Sequence, residues 1–119
     1  MNTLQYYEQY GPLSQEQAFL ESQLHLSGED HPDLQLRLAA ILAEKREIEE
    51  SLTRYVPYPL TARHHYRATE EQEFLFYRCI KGLTMKKTAE LMCVSRDTAY
   101  RIRRRIANGS GRCASFDDQ

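Results

Sequence analysis

Four arginines occupy five consecutive positions late in the sequence: Arg101, Arg103, Arg104 and Arg105, with Ile102 among them. A guanidinium group can donate two parallel hydrogen bonds to guanine or bind a phosphate oxygen, so such a cluster could bind DNA. The same residues could instead form the solvated face of a helix whose other side is buried. The secondary structure predicted around the cluster distinguishes these two interpretations.

The distribution of charge favours a nucleic acid as the partner of this segment. Residues 85–112 carry eight basic and two acidic side chains, a net charge of +6. The whole chain has a net charge of -1, but residues 1–60 carry -6 and residues 61–119 carry +5. A chain divided in this way indicates that one half binds a polyanion and the other half binds something else.

Two short helices are predicted around the cluster. Thr84 can cap a helix over residues 85–92, and Ser95 can cap a second helix about three residues later, which is the layout of a helix-turn-helix. This layout requires a small residue where the helices cross, an apolar residue in the turn, and an inward stripe at steps of three and four. The residues predicted to form this core are Ala89, Val94, Ala99, Ile102 and Ile106.

The inward stripe fixes which side chains face outward, because successive helical residues are rotated by about 100°. The side chains predicted to read bases in a major groove are Arg96, Asp97, Tyr100, Arg101 and Arg104. Those predicted to contact phosphates are Lys86, Lys87, Ser95, Thr98, Arg103 and Arg105. Asp97 could accept from cytosine N4 or orient Arg101 through an i,i+4 pair, and we favour the orienting role.

The stretch EQEFLFYRCIKGLTMKKTAELMCVSRDTAYRIRRRI resembles region 4 of sigma-70-type factors. The matching residues, in order, are Phe74 to Arg78, Gly82-Leu83-Thr84, Ala89-Glu90, Val94-Ser95 and Thr98. An acidic helical front half joined to such a domain is similar to the small phage late-gene activators of the RinA and ArpU type. The resemblance implies a sequence-specific transcriptional regulator, with double-stranded DNA as its partner and RNA polymerase as a further one.

Two residues depart from the sigma-type pattern. Thr88 stands where the family usually has isoleucine, and Cys93 replaces the glycine of the turn. A residue with a side chain at a turn position of positive φ costs on the order of 1 kcal/mol. These two departures indicate a less tight turn, but a turn is still predicted.

The front half is predicted to be helical. Ser14 and Gln17 form a capping-box pattern for a helix over residues 15–26, and Pro32 suits the start of a long helix over residues 33–55. Apolar residues at alternating steps of four and three form a heptad seam: Leu34, Leu38, Ile41, Ile48, Leu52 and Tyr55. This seam could pack on the preceding helix as a hairpin or could form an oligomer or partner surface in a coiled-coil dimer.

The domain boundaries follow from breaks in these patterns. Residues 1–55 are predicted to form an acidic helical domain, and residues 56–68, which include two prolines, a linker. Residues 69–108 are predicted to form the helix-turn-helix domain, with a first helix over residues 70–81 ended by Gly82. Residues 109–119 are predicted to be a flexible tail. Because no strand-like alternation occurs, the fold class is all-α, an N-terminal hairpin or coiled-coil segment followed by a three-helix domain.

Several classes of protein are disfavoured by what the sequence lacks. No apolar run approaches the roughly 18 residues of a membrane span, and no signal peptide is visible, so we expect a cytoplasmic location. The three cysteines include no CxxC pair, and His64 and His65 are adjacent, which disfavours a disulfide framework and a metal site. We see no catalytic constellation or phosphate loop, and therefore expect neither an enzyme nor a cofactor.

A small terminase subunit, the DNA-recognition protein of a packaging motor, is the main alternative to a regulator. Such proteins also join a helix-turn-helix to a helical oligomerisation region. In them the DNA-binding part usually comes first, whereas here it follows the acidic half. The order of the segments therefore favours the regulator.

Overall fold

The computed structural model describes residues 2–27, 31–56 and 62–115, and the side chains of these except 62–64 and 109–115. Over these ranges the fold is all-α and contains no strand, as the sequence predicts. The elements are α1 (Thr3–Glu8), α2 (Tyr10–Ser27), α3 (Pro32–Thr53), α4 (Ala62–Leu75), a π-helical turn (Phe76–Ile80), α5 (Met85–Met92) and α6 (Arg96–Ser115).

Helices α2 and α3 form a hairpin, which decides between the two arrangements left open for the front half. Polar pairs join the two helices along their length. The Arg37 guanidinium donates two hydrogen bonds of 2.9 Å to the Glu16 carboxylate, and Lys45 donates to the Gln17 amide oxygen over 2.6 Å. The buried apolar residues of the hairpin are Tyr10, Leu13, Leu20, Ile41, Ile48 and Leu52.

The heptad seam of α3 packs within the chain, as in the hairpin alternative, and its use as an oligomer or partner surface stays a prediction. Ile41, Ile48, Leu52 and Tyr55 expose between 0% and 8% of their surface, and Leu34 and Leu38 pack partly buried against the same core. The four side chains that are at most 8% exposed have little area left for a second chain, whereas Leu34 and Leu38 keep part of theirs. The apolar face of α3 is wide enough to meet both α2 and α4.

The short helix α1 is absent from the sequence prediction. Asn2 and Gln5 form a capping box with hydrogen bonds of 2.8 and 3.0 Å, and Leu4 and Tyr7 are buried. Ser14, predicted to cap the second helix, lies inside α2, which already begins at Tyr10. Pro12 falls in the first turn of α2, where its missing N–H removes no helical hydrogen bond. The helical front half therefore begins at Thr3, whereas the first helix was predicted to begin at residue 15.

Helix α4 occupies much of the predicted linker. Residues 57–61 lie outside the described part of the chain, but from Ala62 the backbone is helical. Thr69, predicted to cap a helix at residue 70, is instead interior, and its hydroxyl donates to the His65 carbonyl over 3.2 Å. Ala68 is buried and anchors this extra helical segment in the core. The predicted tail is also partly helical, because α6 continues to Ser115.

The break at Gly82, which precedes α5, lies where the sequence predicts it. Gly82 has φ of 70° and follows the π-helical turn. The Leu83 N–H donates to the Tyr77 carbonyl over 3.1 Å, and the Arg78 guanidinium donates to the Leu83 carbonyl over 2.8 Å. The positive φ at a glycine turns the chain into α5 without the cost that a side chain would incur.

One hydrophobic core joins the two halves of the chain. Leu4 and Tyr7 of α1 belong to the same buried cluster as Phe74 of α4 and Ile102 of α6. The rings of Tyr7 and Tyr55 meet edge to face at 6.0 Å. The front half therefore packs directly on the helix-turn-helix. Within the described ranges no helix is both long and apolar enough to cross a membrane.

Candidate nucleic-acid interface

The turn between α5 and α6 is built on a left-handed cysteine. Cys93 has φ of 61° and ψ of 41°, and it is the one non-glycine residue of positive φ in the described ranges. The Val94 N–H donates to the Ala89 carbonyl over 3.0 Å, and the Cys93 N–H donates to the Glu90 carbonyl over 3.1 Å. These two bonds form a Schellman motif, in which glycine is the usual left-handed residue. The turn is therefore tight despite the cysteine, at a cost in strain.

The first turn of α6 is capped by Ser95. Its hydroxyl oxygen accepts from the Thr98 N–H over 3.1 Å and lies 2.9 Å from the Thr98 hydroxyl. An N-cap of this kind satisfies a backbone donor that has no partner within the helix. The contact of Ser95 and Thr98 with phosphates remains a prediction, beside the capping role that the structure gives them.

The structure places the predicted helix-turn-helix core inside the protein. Ala99, Ile102 and Ile106 of α6 expose at most 1% of their surface, and Ala89 of α5 exposes 2%. Val94 is half-buried against this cluster. Because these positions fix the rotation of α6, they also determine which of its side chains reach solvent.

The five predicted base-reading residues share the outer face of α6. Arg96, Asp97, Tyr100, Arg101 and Arg104 are all exposed, and 43% of Tyr100 is accessible. Among the described residues none lies within salt-bridge distance of the three arginines, so the predicted Asp97–Arg101 pair is not formed. We call these five residues the outer face of α6.

Arg103 and Arg105 differ from the outer face, because both contact carboxylates of neighbouring helices, Arg105 with a side chain that is 24% exposed and Arg103 with one that is 42% exposed. The Arg103 guanidinium lies 3.5 Å from the Glu8 carboxylate of α1. Arg105 donates to Glu71 over 2.7 Å and to Glu70 over 2.9 Å. These arginines flank the buried stripe of α6, so they reach the helices packed beside it. Arg105 in particular is already satisfied by two carboxylates, which makes it a poor phosphate ligand.

Glu71 is the centre of a buried polar network. Its side chain is fully buried, one oxygen accepts from Arg105, and the other accepts from the Tyr55 hydroxyl over 3.0 Å. Burial alone would lower the pKa of Arg105, but hydrogen bonds and attraction from Glu71 and Glu70 outweigh it and raise that pKa. Arg105 is therefore positively charged at neutral pH. We call Tyr55, Glu70, Glu71 and Arg105 the anchor network.

The two lysines at the start of α5 extend the cationic surface. Lys86 and Lys87 are exposed, and Lys87 lies 3.9 Å from Glu90 at the surface. The Thr84 hydroxyl accepts from the Lys87 N–H over 3.1 Å and so caps this helix as predicted. An exposed pair of this length contributes little, so both ammonium groups are available to a polyanion.

Sequence reasoning missed the carboxylate partners of Arg103 and Arg105, which are Glu8, Glu70 and Glu71. One signal was present, because Glu71 lies three residues from both Ala68 and Phe74 and so falls on the buried face of α4. A carboxylate at such a position needs a buried cation or hydrogen-bond donors. The periodicity of α4 thus indicated a buried ion pair, although not its partner.

Metal binding and the chemistry of the Cys79 thiol are both disfavoured among the described residues. No group of three His, Cys, Asp or Glu side chains within them is placed to hold a metal ion. Cys79 is buried, and this burial, with a smaller effect of the Glu8 charge, raises the pKa of its thiol to about 12. A thiol that stays protonated at neutral pH is a weak nucleophile.

Residues 65–115 match the family model of the homeodomain-like domain. The match supports a helix-turn-helix DNA-binding domain and extends from the second turn of α4 to the end of α6. It does not distinguish the sigma-70 region 4 or phage-activator type from other helix-turn-helix domains. Comparison with curated proteins and with solved structures found no match.

Proposed function

We propose that this protein is a sequence-specific DNA-binding regulator of transcription that inserts α6 into a major groove. The observation that carries the proposal is the division of the α6 arginines. Arg103 and Arg105 have carboxylate partners, whereas Arg96, Arg101 and Arg104 are exposed and unpaired within the described residues. Unpaired guanidinium groups on one helix face can donate to guanine O6 and N7.

The proposal of a particular type of regulator rests on the sequence. The likeness of residues 71–106 to sigma-70 region 4 supports a phage or prophage regulator that also contacts RNA polymerase. The acidic half is the proposed polymerase-contacting part, with Glu44, Glu47 and Glu50 exposed on α3. The proposed role is one of binding, without catalysis.

Selection of bound duplexes from random DNA, at a fixed salt concentration, tests the proposal. We expect enrichment of one short motif, and affinity for it that falls with salt at a log-log slope of about -4, because four or five exposed cations would displace counterions. Recovery of no common motif would contradict sequence-specific binding.

The mass of the protein in solution separates the regulator from the packaging alternative. A monomer or dimer by light scattering supports the regulator. A closed ring of many chains would favour a small terminase subunit instead. Since the heptad seam is buried within the hairpin, a ring would also require a different contact surface.

A further inference from the structure

The geometry points to Glu71 as a positioning residue that sets the rotation of α6 on DNA. This inference rests on the proposed function, since it concerns how well the outer face of α6 discriminates between base sequences. Glu71 itself is fully buried and does not reach the DNA. It acts through Arg105, which lies one helical turn beyond Arg101.

Apolar packing fixes which face of α6 is buried, but it opposes small rotations of the helix only weakly. Ala99, Ile102 and Ile106 are buried, but contacts between aliphatic side chains have little directional preference. An arginine guanidinium lies about 8 Å from its helix axis, so a rotation of about 10° displaces it by more than about 1 Å. A displacement of that size removes a bidentate hydrogen bond to a base.

The anchor network provides directional contacts that oppose a small rotation of α6. Arg105 donates from Nε to Glu71 and from a terminal nitrogen to Glu70, so its guanidinium plane is fixed at two points on α4. Charge-assisted hydrogen bonds of 2.7 and 2.9 Å tolerate little rotation. The outer face of α6 is thereby held in one orientation relative to α4.

The network also connects the outer face of α6 to the front half. The Tyr55 hydroxyl, just after α3, donates to the oxygen of Glu71 that Arg105 leaves free. Nearby, the Gln72 amide donates to the Leu52 carbonyl over 3.1 Å. The end of α3 therefore fixes the carboxylate that fixes Arg105, and the acidic half contributes to base discrimination without touching DNA.

The test replaces the ion pair with apolar residues in the full-length chain. Exchange of a buried pair for aliphatic side chains of similar size is often neutral or stabilising, so Glu71→Leu/Arg105→Met should keep the fold. The measured quantity is the ratio of the Kd for a scrambled duplex to the Kd for the selected duplex, with melting temperature alongside. We expect this ratio to fall about tenfold, as for a displaced base-reading arginine, while the scrambled duplex binds almost unchanged.

Two further variants keep the inference open to refutation. Tyr55→Phe removes a single hydroxyl, and it should lower the ratio in the same direction if the double variant does not fold. As a control, Glu16→Leu/Arg37→Met removes an exposed bidentate pair between α2 and α3, outside the anchor network, and should leave the ratio unchanged.

Each other outcome overturns a different statement. An unchanged ratio in a folded double variant and in Tyr55→Phe would show that the network does not position α6. Equal weakening on both duplexes, with a shallower salt dependence, would assign Arg105 to phosphate contact. If the wild-type protein itself shows no preference for any duplex, the proposed function fails rather than this inference.

Discussion

The Glu8 carboxylate lies 3.5 Å from the guanidinium of Arg103, so a salt bridge joins the first helix of the chain to the last. Both side chains are about two-fifths exposed, and the bridge itself contributes little to stability. It marks a larger contact, in which the buried Leu4 and Tyr7 of α1 pack with α6 into one core. The two halves should therefore unfold together.

Tyr7→Ala tests this joint core. Tyr7 is 2% exposed and packs on Tyr55, so its truncation should lower the free energy of unfolding by about 3 to 5 kcal/mol. In hydrogen exchange, amides of α6 and of the hairpin should lose protection in parallel. Phe19→Ala, at a side chain that is 60% exposed, should cost less than about 1 kcal/mol. Retained protection of α6 alone would indicate independent domains.

Replacing the left-handed Cys93 with glycine should stabilise the protein. Relief of the positive-φ strain, partly offset by the extra freedom of glycine in the unfolded chain, should add about 0.5 to 1 kcal/mol. Cys93→Ala removes the thiol but keeps the strain, and we expect it to leave stability unchanged. Equal gains in both variants, measured by urea denaturation, would attribute the effect to the thiol.

Thr88→Val should also stabilise the fold. Thr88 is fully buried in α5, and its hydroxyl has no hydrogen-bond partner among the described residues. Valine keeps the shape and removes the unsatisfied group, for a gain of about 1 kcal/mol. Thr84→Val makes the same chemical change at a hydroxyl that caps α5 and should lose about 1 kcal/mol. A loss at both positions would mean that Thr88 is satisfied.

The pKa of Tyr10 indicates how the stability of the protein should change at alkaline pH. Burial, together with its hydrogen bond to Glu49, raises the pKa of Tyr10 from its ordinary value to about 12. A raised pKa favours the neutral phenol in the folded protein, so its contribution is complete below about pH 10 and is lost between about pH 10 and 12. Wild type should therefore lose stability relative to Tyr10→Phe across this window. Thermal melts of the exposed Tyr66→Phe variant should follow wild type, and parallel curves for all three proteins would refute the shift.

The buried and exposed faces of α6 could be predicted from the sequence because they depend on local periodicity. Ala99, Ile102 and Ile106 recur at steps of three and four, and this alone places Arg101 outward. The partner of Arg105 could not be predicted in the same way, since Glu71 is 34 residues away in sequence. Contacts at that separation depend on how the helices pack and not on local pattern.

The starts of α1 and α4 could not be predicted from the sequence for a related reason. Helix α1 is only six residues long, too short for a periodic signal, and its burial against α6 stabilises it. Thr69 and Gln72 have the spacing of a capping box, yet Ala68 packs in the core and α4 extends past them. Tertiary packing thus extended a helix beyond its apparent start signal.

The base preference of Arg101→Ala tests the central claim most directly. Binding of this variant should be measured on the selected duplex and on all its single-base-pair substitutions, with Arg46→Ala on the exposed side of α3 as the control. We expect a loss of about 1 to 3 kcal/mol on the selected duplex and relaxed preference at one base pair, with Arg46→Ala unchanged. Uniform weakening across all duplexes, or no weakening, would contradict base reading by the outer face of α6.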